Sequence, residues 1–74
     1  MSERQRNLID YIVVCVNEVA RAKNMTNRNA LVYLHEYKTL DFLEEAYDIE
    51  HTFSIEDTIE HMEKVCRNNG GIGV

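Results

Sequence analysis

The chain contains no residue that must interrupt a helix before Gly70. It has no proline, and its three glycines are Gly70, Gly71 and Gly73. Proline and glycine are the residues that most strongly break helices, so helices can form wherever apolar side chains repeat at a helical spacing. A chain of 74 residues is enough for one domain. The sequence therefore predicts an all-α fold: a compact bundle of about four helices in a single domain, residues 1–74.

The first predicted helix spans residues 2–23 and has a wide apolar stripe. On a 3.6-residue period, one face of this helix holds Leu8, Ile9, Ile12, Val13, Val16, Val19 and Ala20. The run from Tyr11 to Val16 could also form a buried strand, but the helical period continues on both sides of it. Such a stripe predicts a central helix, or one that packs against two partners. Val14 lies in the polar arc, either as an ordinary exposed apolar residue or as a contact with another chain.

Three further helices are predicted at residues 27–37, 40–48 and 55–68, followed by a glycine-rich tail at 70–74. Thr26, Thr39 and Ser54 are the expected N-caps, because their hydroxyls can accept hydrogen bonds from free amides of the first turn. The connection at 49–53 is expected to insert Ile49 and Phe53 into the core. The predicted buried sides of the three helices hold, in chain order, Ala30, Leu31, Tyr33, Leu34 and Tyr37; Leu40, Leu43 and Tyr47; and Ile55, Ile59, Met62, Val65 and Cys66.

Charge is distributed unevenly between the two halves of the chain. The formal net charge is −5; residues 1–38 carry six Lys or Arg against four Asp or Glu, and residues 39–74 carry two against nine. The halves therefore have net charges of +2 and −7. An acidic surface repels the phosphates of nucleic acid, so the second half is expected to suit a basic protein partner instead.

The second and third predicted helices, joined by a tight turn, have the outline of a helix-turn-helix module. A recognition helix needs Arg, Lys, Asn or Gln near its start to contact bases and phosphates. The third helix offers Asp41, Glu44 and Glu45 there. A nucleic-acid-binding or transcriptional module that uses the basic first half is therefore kept only as the alternative function.

The sequence lacks the common motifs for catalysis and for metal or cofactor binding. It has no His-Glu-x-x-His, Cys-x-x-Cys, glycine-rich phosphate loop or Gly-x-Ser-x-Gly. His51 is expected to hydrogen-bond a backbone carbonyl and pin the loop before the fourth helix; the alternative is a pH-sensitive histidine that contacts a partner. Cys15 and Cys66 lie on apolar stripes and are expected to be reduced and buried. We expect no enzymatic activity, no cofactor and no metal site.

Acidic residues on the third and fourth helices could form a docking surface for a basic protein, or could simply be solvated. The fourth helix also offers the pairs Glu60–Lys64 and Glu63–Arg67 at the favourable i,i+4 spacing. Apolar anchors would come from Phe42 or Val14. The candidate partner-binding residues are Val14, Asp41, Phe42, Glu44, Glu45, Asp48, His51, Glu56, Glu60 and Glu63.

No apolar run approaches the ~20 residues that a membrane-spanning helix needs. The sequence also has no recognisable signal peptide, so we expect a cytoplasmic protein that does not bind membranes.

A spaced pattern extends through the middle and end of the chain: Ala30-x-x-Tyr33-Leu34-x-x-Tyr37-x-x-Leu40-Asp41-Phe42-Leu43, then Tyr47-Asp48-x-x-His51-Thr52-x-Ser54-x-x-Asp57, and Cys66-x-x-Asn69-Gly70-Gly71. Between about Asn7 and Gly71 the chain resembles a family of very small bacterial proteins classified only as a domain of unknown function. Members of that family look like companions of putative ADP-ribosyltransferase-like proteins, an arrangement similar to toxin–antitoxin pairs. The resemblance implies no activity and no site residue.

The leading hypothesis is a small helical protein-interaction module, antitoxin-like, that binds an adjacent enzyme. The breadth of the apolar stripe on the first helix, with Val14 outside it, also predicts a weak two-fold homodimer.

Overall fold

A computed structural model describes residues 2–71 and contains four α-helices. They are α1, Glu3–Ala22; α2, Asn27–Glu36; α3, Thr39–Glu50; and α4, Ile55–Asn68. No strand occurs between residues 2 and 71, so the predicted all-α bundle of four helices is confirmed. The predicted tail is described only as far as Gly71, and its last three residues lie outside the described range.

The helix α1 occupies the centre of the bundle and contacts α2, α3 and α4. The helices α2 and α3, and likewise α3 and α4, also pack against each other. Every helix contributes to one buried core, because each has an apolar face that must be covered. The fully or almost fully buried core residues are Cys15, Val16, Val19, Ala20, Ala30, Leu34, Leu43, Met62 and Cys66.

Side-chain caps begin α2 and α4 where the sequence predicts them. The Ser54 hydroxyl accepts a hydrogen bond from the amide of Asp57 at 3.1 Å. The Thr26 hydroxyl accepts one from the amide of Asn29 at 3.0 Å. Both bonds satisfy amides that the helix itself leaves free, so both cap predictions are confirmed.

The predicted cap at Thr39 is wrong, because Thr39 is the first residue of α3 and is completely buried. Lys38 occupies the N-cap position with a left-handed backbone, at φ +65°, and makes no side-chain cap bond. The Thr39 hydroxyl lies 2.9 Å from the sulfur of Cys66 and satisfies its hydrogen-bonding requirement inside the core. A tertiary contact therefore replaces the local cap.

The prediction that Ile49 and Phe53 insert into the core is also wrong. The third helix continues to Glu50, two residues beyond its predicted end. Ile49 is 65% exposed and Phe53 is exposed as well. The helical period carries the buried face from Leu43 to Glu50, seven residues later, and so turns Ile49 outward.

The apolar stripe of α1 is only partly covered. Leu8, Val16 and Val19 are buried as predicted, but Ile9 and Val13 are 45% and 51% exposed. Leu31 on α2, another predicted core residue, is exposed beside them. The other helices cover the middle of the stripe and leave one flank open.

The end of α4 is bound to the end of α2 by the Asn-Gly-Gly segment. The Asn69 side chain donates a hydrogen bond to the backbone carbonyl of Tyr37 at 3.0 Å. The backbone of Gly71 lies so close to its neighbours that a Cβ there would be 2.9 Å from the Tyr33 hydroxyl and 3.0 Å from the Cys66 carbonyl oxygen. This close approach explains the need for glycine at position 71.

Candidate partner-binding surface

The outer face of α3 presents carboxylates to solvent. Asp41, Glu44 and Glu45 are exposed, and no cation among residues 2–71 forms an ion pair with any of them. They line a shallow hollow together with Arg4 of α1. Three uncompensated acids within five residues give this face a negative potential that favours cations.

Asp48, the fourth acid of this face, is bound within the protein. A guanidinium nitrogen of Arg4 lies 3.4 Å from its Oδ2. The same guanidinium lies over the ring of Tyr47, with its carbon 5.7 Å from the ring centroid. The pair is solvent-exposed and adds little stability, but it holds the start of α1 against α3 and occupies one arginine of the basic half.

The predicted bond of His51 to a backbone carbonyl is present. Its Nδ1 lies 2.7 Å from the carbonyl oxygen of Tyr47. The imidazole also stacks on the Tyr47 ring at a centroid distance of 4.8 Å. The hydroxyl of Thr52 donates to the carbonyl of Ile49 at 2.6 Å, so two consecutive side chains satisfy carbonyls at the end of α3. The His51 ring remains on the surface, beside the acids of α3.

The outer ridge of α4 is formed by Glu56, Glu60 and Glu63. Glu56 and Glu60 are exposed and have no ion-pair partner among the described residues. Glu63 is half-buried and accepts a hydrogen bond from Arg67 at 3.2 Å, as the i,i+4 spacing predicts. No Glu60–Lys64 pair forms within residues 2–71. The free charge of the ridge is therefore concentrated at Glu56 and Glu60.

The two candidate apolar anchors differ in accessibility. Phe42 is half-buried and packs against the core, so only part of its ring is available to a partner. Val14 is exposed on the outer side of α1.

A more continuous apolar surface lies elsewhere on α1. One hollow between α1 and α2 is lined by Ile12, Val13, Val16 and Leu31, with Asn17, Asn27 and Arg28 at its rim. An adjoining hollow between α1 and α3 is lined by Gln5, Leu8, Ile9, Ile12 and Glu44. Ile12 belongs to both hollows, and together they are called here the α1 groove. The helical period predicts that its apolar residues are buried, because periodicity cannot show which flank of a wide stripe stays uncovered.

A partly buried carboxylate–imidazole pair joins α3 to α4 and was not anticipated from the sequence. Both oxygens of Glu50 contact Nδ1 of His61, at 2.6 and 3.0 Å. The Thr58 hydroxyl donates to the backbone carbonyl of Glu50 at 3.4 Å and lies 3.0 Å from the hydroxyl of Tyr11. The spacing of seven residues from Leu43 was the signal that Glu50 faces inward.

Both cysteines are free thiols and both are buried, as expected. Burial raises the pKa of the Cys15 thiol to about 11. Burial also raises the pKa of Cys66, partly offset by its hydrogen bond with Thr39. A thiol with a raised pKa is rarely ionised near neutral pH and is a poor nucleophile.

Within residues 2–71 no group of three or more His, Cys, Asp or Glu side chains is arranged to hold a metal ion. None of the helices in the same range has the length and apolar character needed to cross a membrane.

Comparison with known proteins places the chain in a family. Neither a curated protein nor a solved structure matches it. A family model described as "Protein of unknown function (DUF3791)" matches residues 10–69. This match includes most of α1 and all of α2, α3 and α4. The chain belongs to the DUF3791 family of proteins of unknown function.

Proposed function

We propose that the protein is a helical protein-interaction module that binds an adjacent enzyme and acts without catalysis of its own. The observation that carries this proposal is the set of exposed carboxylates with no cation partner among residues 2–71: Asp41, Glu44, Glu45, Glu56 and Glu60. These acids stand on two helices of a small bundle whose net charge is −5.

The partner is a basic protein surface, because opposite charges accelerate encounter between two proteins. The partner class follows from the family resemblance alone: an ADP-ribosyltransferase-like enzyme encoded beside this chain in a bacterium, which the module would inhibit as an antitoxin does. Inhibition would take place in the cytoplasm.

Nucleic acid is a weaker candidate than protein. Two arginines of the basic half are occupied, because Arg4 binds Asp48 and Arg21 binds Glu18. The first turns of α3 present Asp41 and Glu44, which would repel phosphates in the recognition-helix position.

The proposal includes weak self-association through α1. The exposed Ile9 and Val13 on one flank, together with Leu31 of α2, support it because a contiguous apolar patch on a small protein is typical of an interaction site.

The test is a binding and inhibition experiment with purified components. The protein is titrated at physiological salt into the purified product of the adjacent gene. In a parallel titration it is added to a DNA duplex from the region upstream of that adjacent gene. We expect a complex with the protein partner, loss of that partner's enzymatic activity, and no complex with DNA. Tight DNA binding without binding to the adjacent gene product would overturn the proposal.

A further inference from the structure

The α1 groove is an uncovered apolar surface that three helices create together. Its exposed side chains are Ile9, Val13 and Leu31, and its floor is formed by Ile12 and Val16. Isolated apolar residues on a surface need no explanation, whereas a cluster contributed by two helices is typical of a surface that another molecule covers.

Charge is arranged along the groove with opposite signs at its two ends. Glu44 of α3 borders the end nearest the start of α1, beside Leu8 and Ile9. Arg28 of α2 borders the other end, beside Val13. Neither Glu44 nor Arg28 has an ion-pair partner among residues 2–71. Ile12, which both hollows share, lies between the two charges.

We propose that the α1 groove is the interface of a two-fold homodimer in which α1 of one protomer packs antiparallel against α1 of the other. This inference rests on the proposed self-association and names its surface and register. A two-fold axis perpendicular to α1, close to Ile12 and Val13, brings the Glu44 end of each protomer onto the Arg28 end of its partner. This arrangement therefore buries the apolar residues of both protomers and forms two symmetry-related pairs between Glu44 and Arg28.

Other pairings of the chain with itself are less favourable. A parallel arrangement of the two α1 helices would bring the Glu44 ends of both protomers together, and like charges in contact oppose association. The ridge of Glu56 and Glu60 would repel its own copy in the same way. Val14 lies on the side of α1 where the polar residues Asp10, Asn17 and Arg21 are exposed.

The first test uses single exposed cysteines, because the native thiols are buried and compete little. In Val13→Cys the new thiol lies close to the proposed axis, and oxidised glutathione should convert most of the protein to a disulfide-linked dimer. The matched control is Val14→Cys, which is similarly exposed but lies about 100° around α1 from Val13, in the polar arc and outside the lining of the α1 groove. The control should remain largely monomeric on a non-reducing gel.

The second test exchanges the charges and measures the dimer dissociation constant by sedimentation equilibrium. Glu44→Arg and Arg28→Glu each remove two symmetry-related ion pairs. One exposed pair contributes about two- to fivefold to the dimer affinity, so each variant should raise the dissociation constant about 4- to 25-fold. The double variant Glu44→Arg/Arg28→Glu restores both pairs with reversed polarity and should regain most of the affinity. Circular dichroism of every variant verifies that the helices are intact.

The outcomes separate this inference from the proposal on which it rests. If the wild type is monomeric at high micromolar concentration, both the self-association and the proposed interface are wrong, and the groove is free for a helix of another protein. If the wild type dimerises but Val14→Cys crosslinks as well as Val13→Cys, self-association stands and the antiparallel interface is wrong. A double charge variant no tighter than the single variants would also contradict the proposed register.

Discussion

Glu50 and His61 are joined by a hydrogen bond that ties the last turn of α3 to the middle of α4. Both carboxylate oxygens face the same ring nitrogen, Nδ1, at 2.6 and 3.0 Å. Glu50 is only 5% exposed, while the His61 side chain is 36% exposed. An ionised carboxylate can only accept hydrogen bonds, so Nδ1 carries the hydrogen. The pairing is required by the fold, because a buried carboxylate without a donor is strongly unfavourable.

Loss of the histidine should therefore destabilise the protein more than its exposure suggests. We expect His61→Ala to lower the free energy of unfolding by about 1–3 kcal/mol, since Glu50 loses its donor. In the Glu50→Gln background, His61→Ala should lower the free energy of unfolding by less, because the buried side chain at position 50 is then a neutral amide. Urea denaturation of the four proteins gives the coupling energy, which should be at least ~0.5 kcal/mol. Additive effects would show that the two side chains act independently.

The N-cap of α4 can be tested by itself. Ser54→Ala removes the acceptor for the Asp57 amide and should cost about 1 kcal/mol of stability. In a domain of this size, that loss lowers the melting temperature by roughly 4–8 °C. Ser54→Asp keeps an acceptor at the same place and is the matched control, with little expected change. Equal losses in both variants would mean that the hydroxyl does not cap the helix.

These two sites show which parts of the fold are predictable from the sequence. The cap at Ser54 depends on residues three positions apart, and the sequence shows both members. Thr39 has the same chemistry and the same kind of position, yet its hydroxyl meets Cys66, 27 residues away, instead of a local amide. The Glu50–His61 pair is missed for the same reason, because the two residues lie on different helices and no local spacing pattern links them. Long-range pairs become visible only when the helix packing is known.

A side chain at position 71 should destabilise the protein. A Cβ at Gly71 meets the carbonyl oxygen of Cys66, a backbone atom that cannot move aside cheaply. We expect Gly71→Ala to destabilise the protein by about 1–3 kcal/mol. Gly70→Ala provides a comparison, because its Cβ meets no atom within 4 Å but the backbone has a φ of +96°. That variant should cost about 1–2 kcal/mol through backbone strain alone.

The measurement for both glycine variants is thermal unfolding followed by circular dichroism. Wild-type stability in Gly71→Ala would show that Gly71 does not pack closely against Tyr33 and Cys66 in solution.

The cysteines should make the protein sensitive to alkaline pH. Burial raises the pKa of Cys15 from its ordinary 9.0 to about 11, so the folded state disfavours the thiolate. The stability that this group contributes is fully present below pH 9 and is lost as the pH rises through 11. At pH 8 the folded protein should hold ~100-fold less Cys15 thiolate than the unfolded chain. We therefore expect slow reaction with Ellman's reagent in buffer and rapid reaction of both thiols in urea. Rapid labelling of the folded protein would contradict this burial.

The width of the apolar stripe on α1 illustrates a second limit of sequence analysis. Ile9, Val13 and Val19 all lie on the predicted apolar stripe, yet only Val19 is buried. The apolar period shows which face of a helix is apolar, but it does not show how many other helices pack against that face. With three other helices in the described bundle, one flank of α1 stays open, and the candidate interface lies there.

The ridge of α4 allows charge placement to be tested separately from net charge. Glu56 and Glu60 are exposed, have no ion-pair partner among residues 2–71, and project away from the buried Met62 and Cys66. Reversal of these two acids should therefore change the surface potential and leave the core intact. Glu63 is less suitable, because its carboxylate is already bound to Arg67. Asp10 and Glu36 are exposed acids on α1 and α2 that allow the same change in net charge elsewhere.

If the ridge steers a basic partner, Glu56→Lys/Glu60→Lys should slow association with the adjacent gene product by about tenfold or more at low salt. Asp10→Lys/Glu36→Lys has the same net charge and should slow it much less. Stopped-flow measurement at several salt concentrations should show the difference shrinking as ionic strength rises, because charges are screened over about 8 Å under physiological conditions. The dissociation rate should change less than the association rate. Equal slowing by the two double variants would mean that only the net charge of the protein affects the association rate. If Glu56→Lys/Glu60→Lys associates as fast as the wild type, α4 is not part of the binding surface.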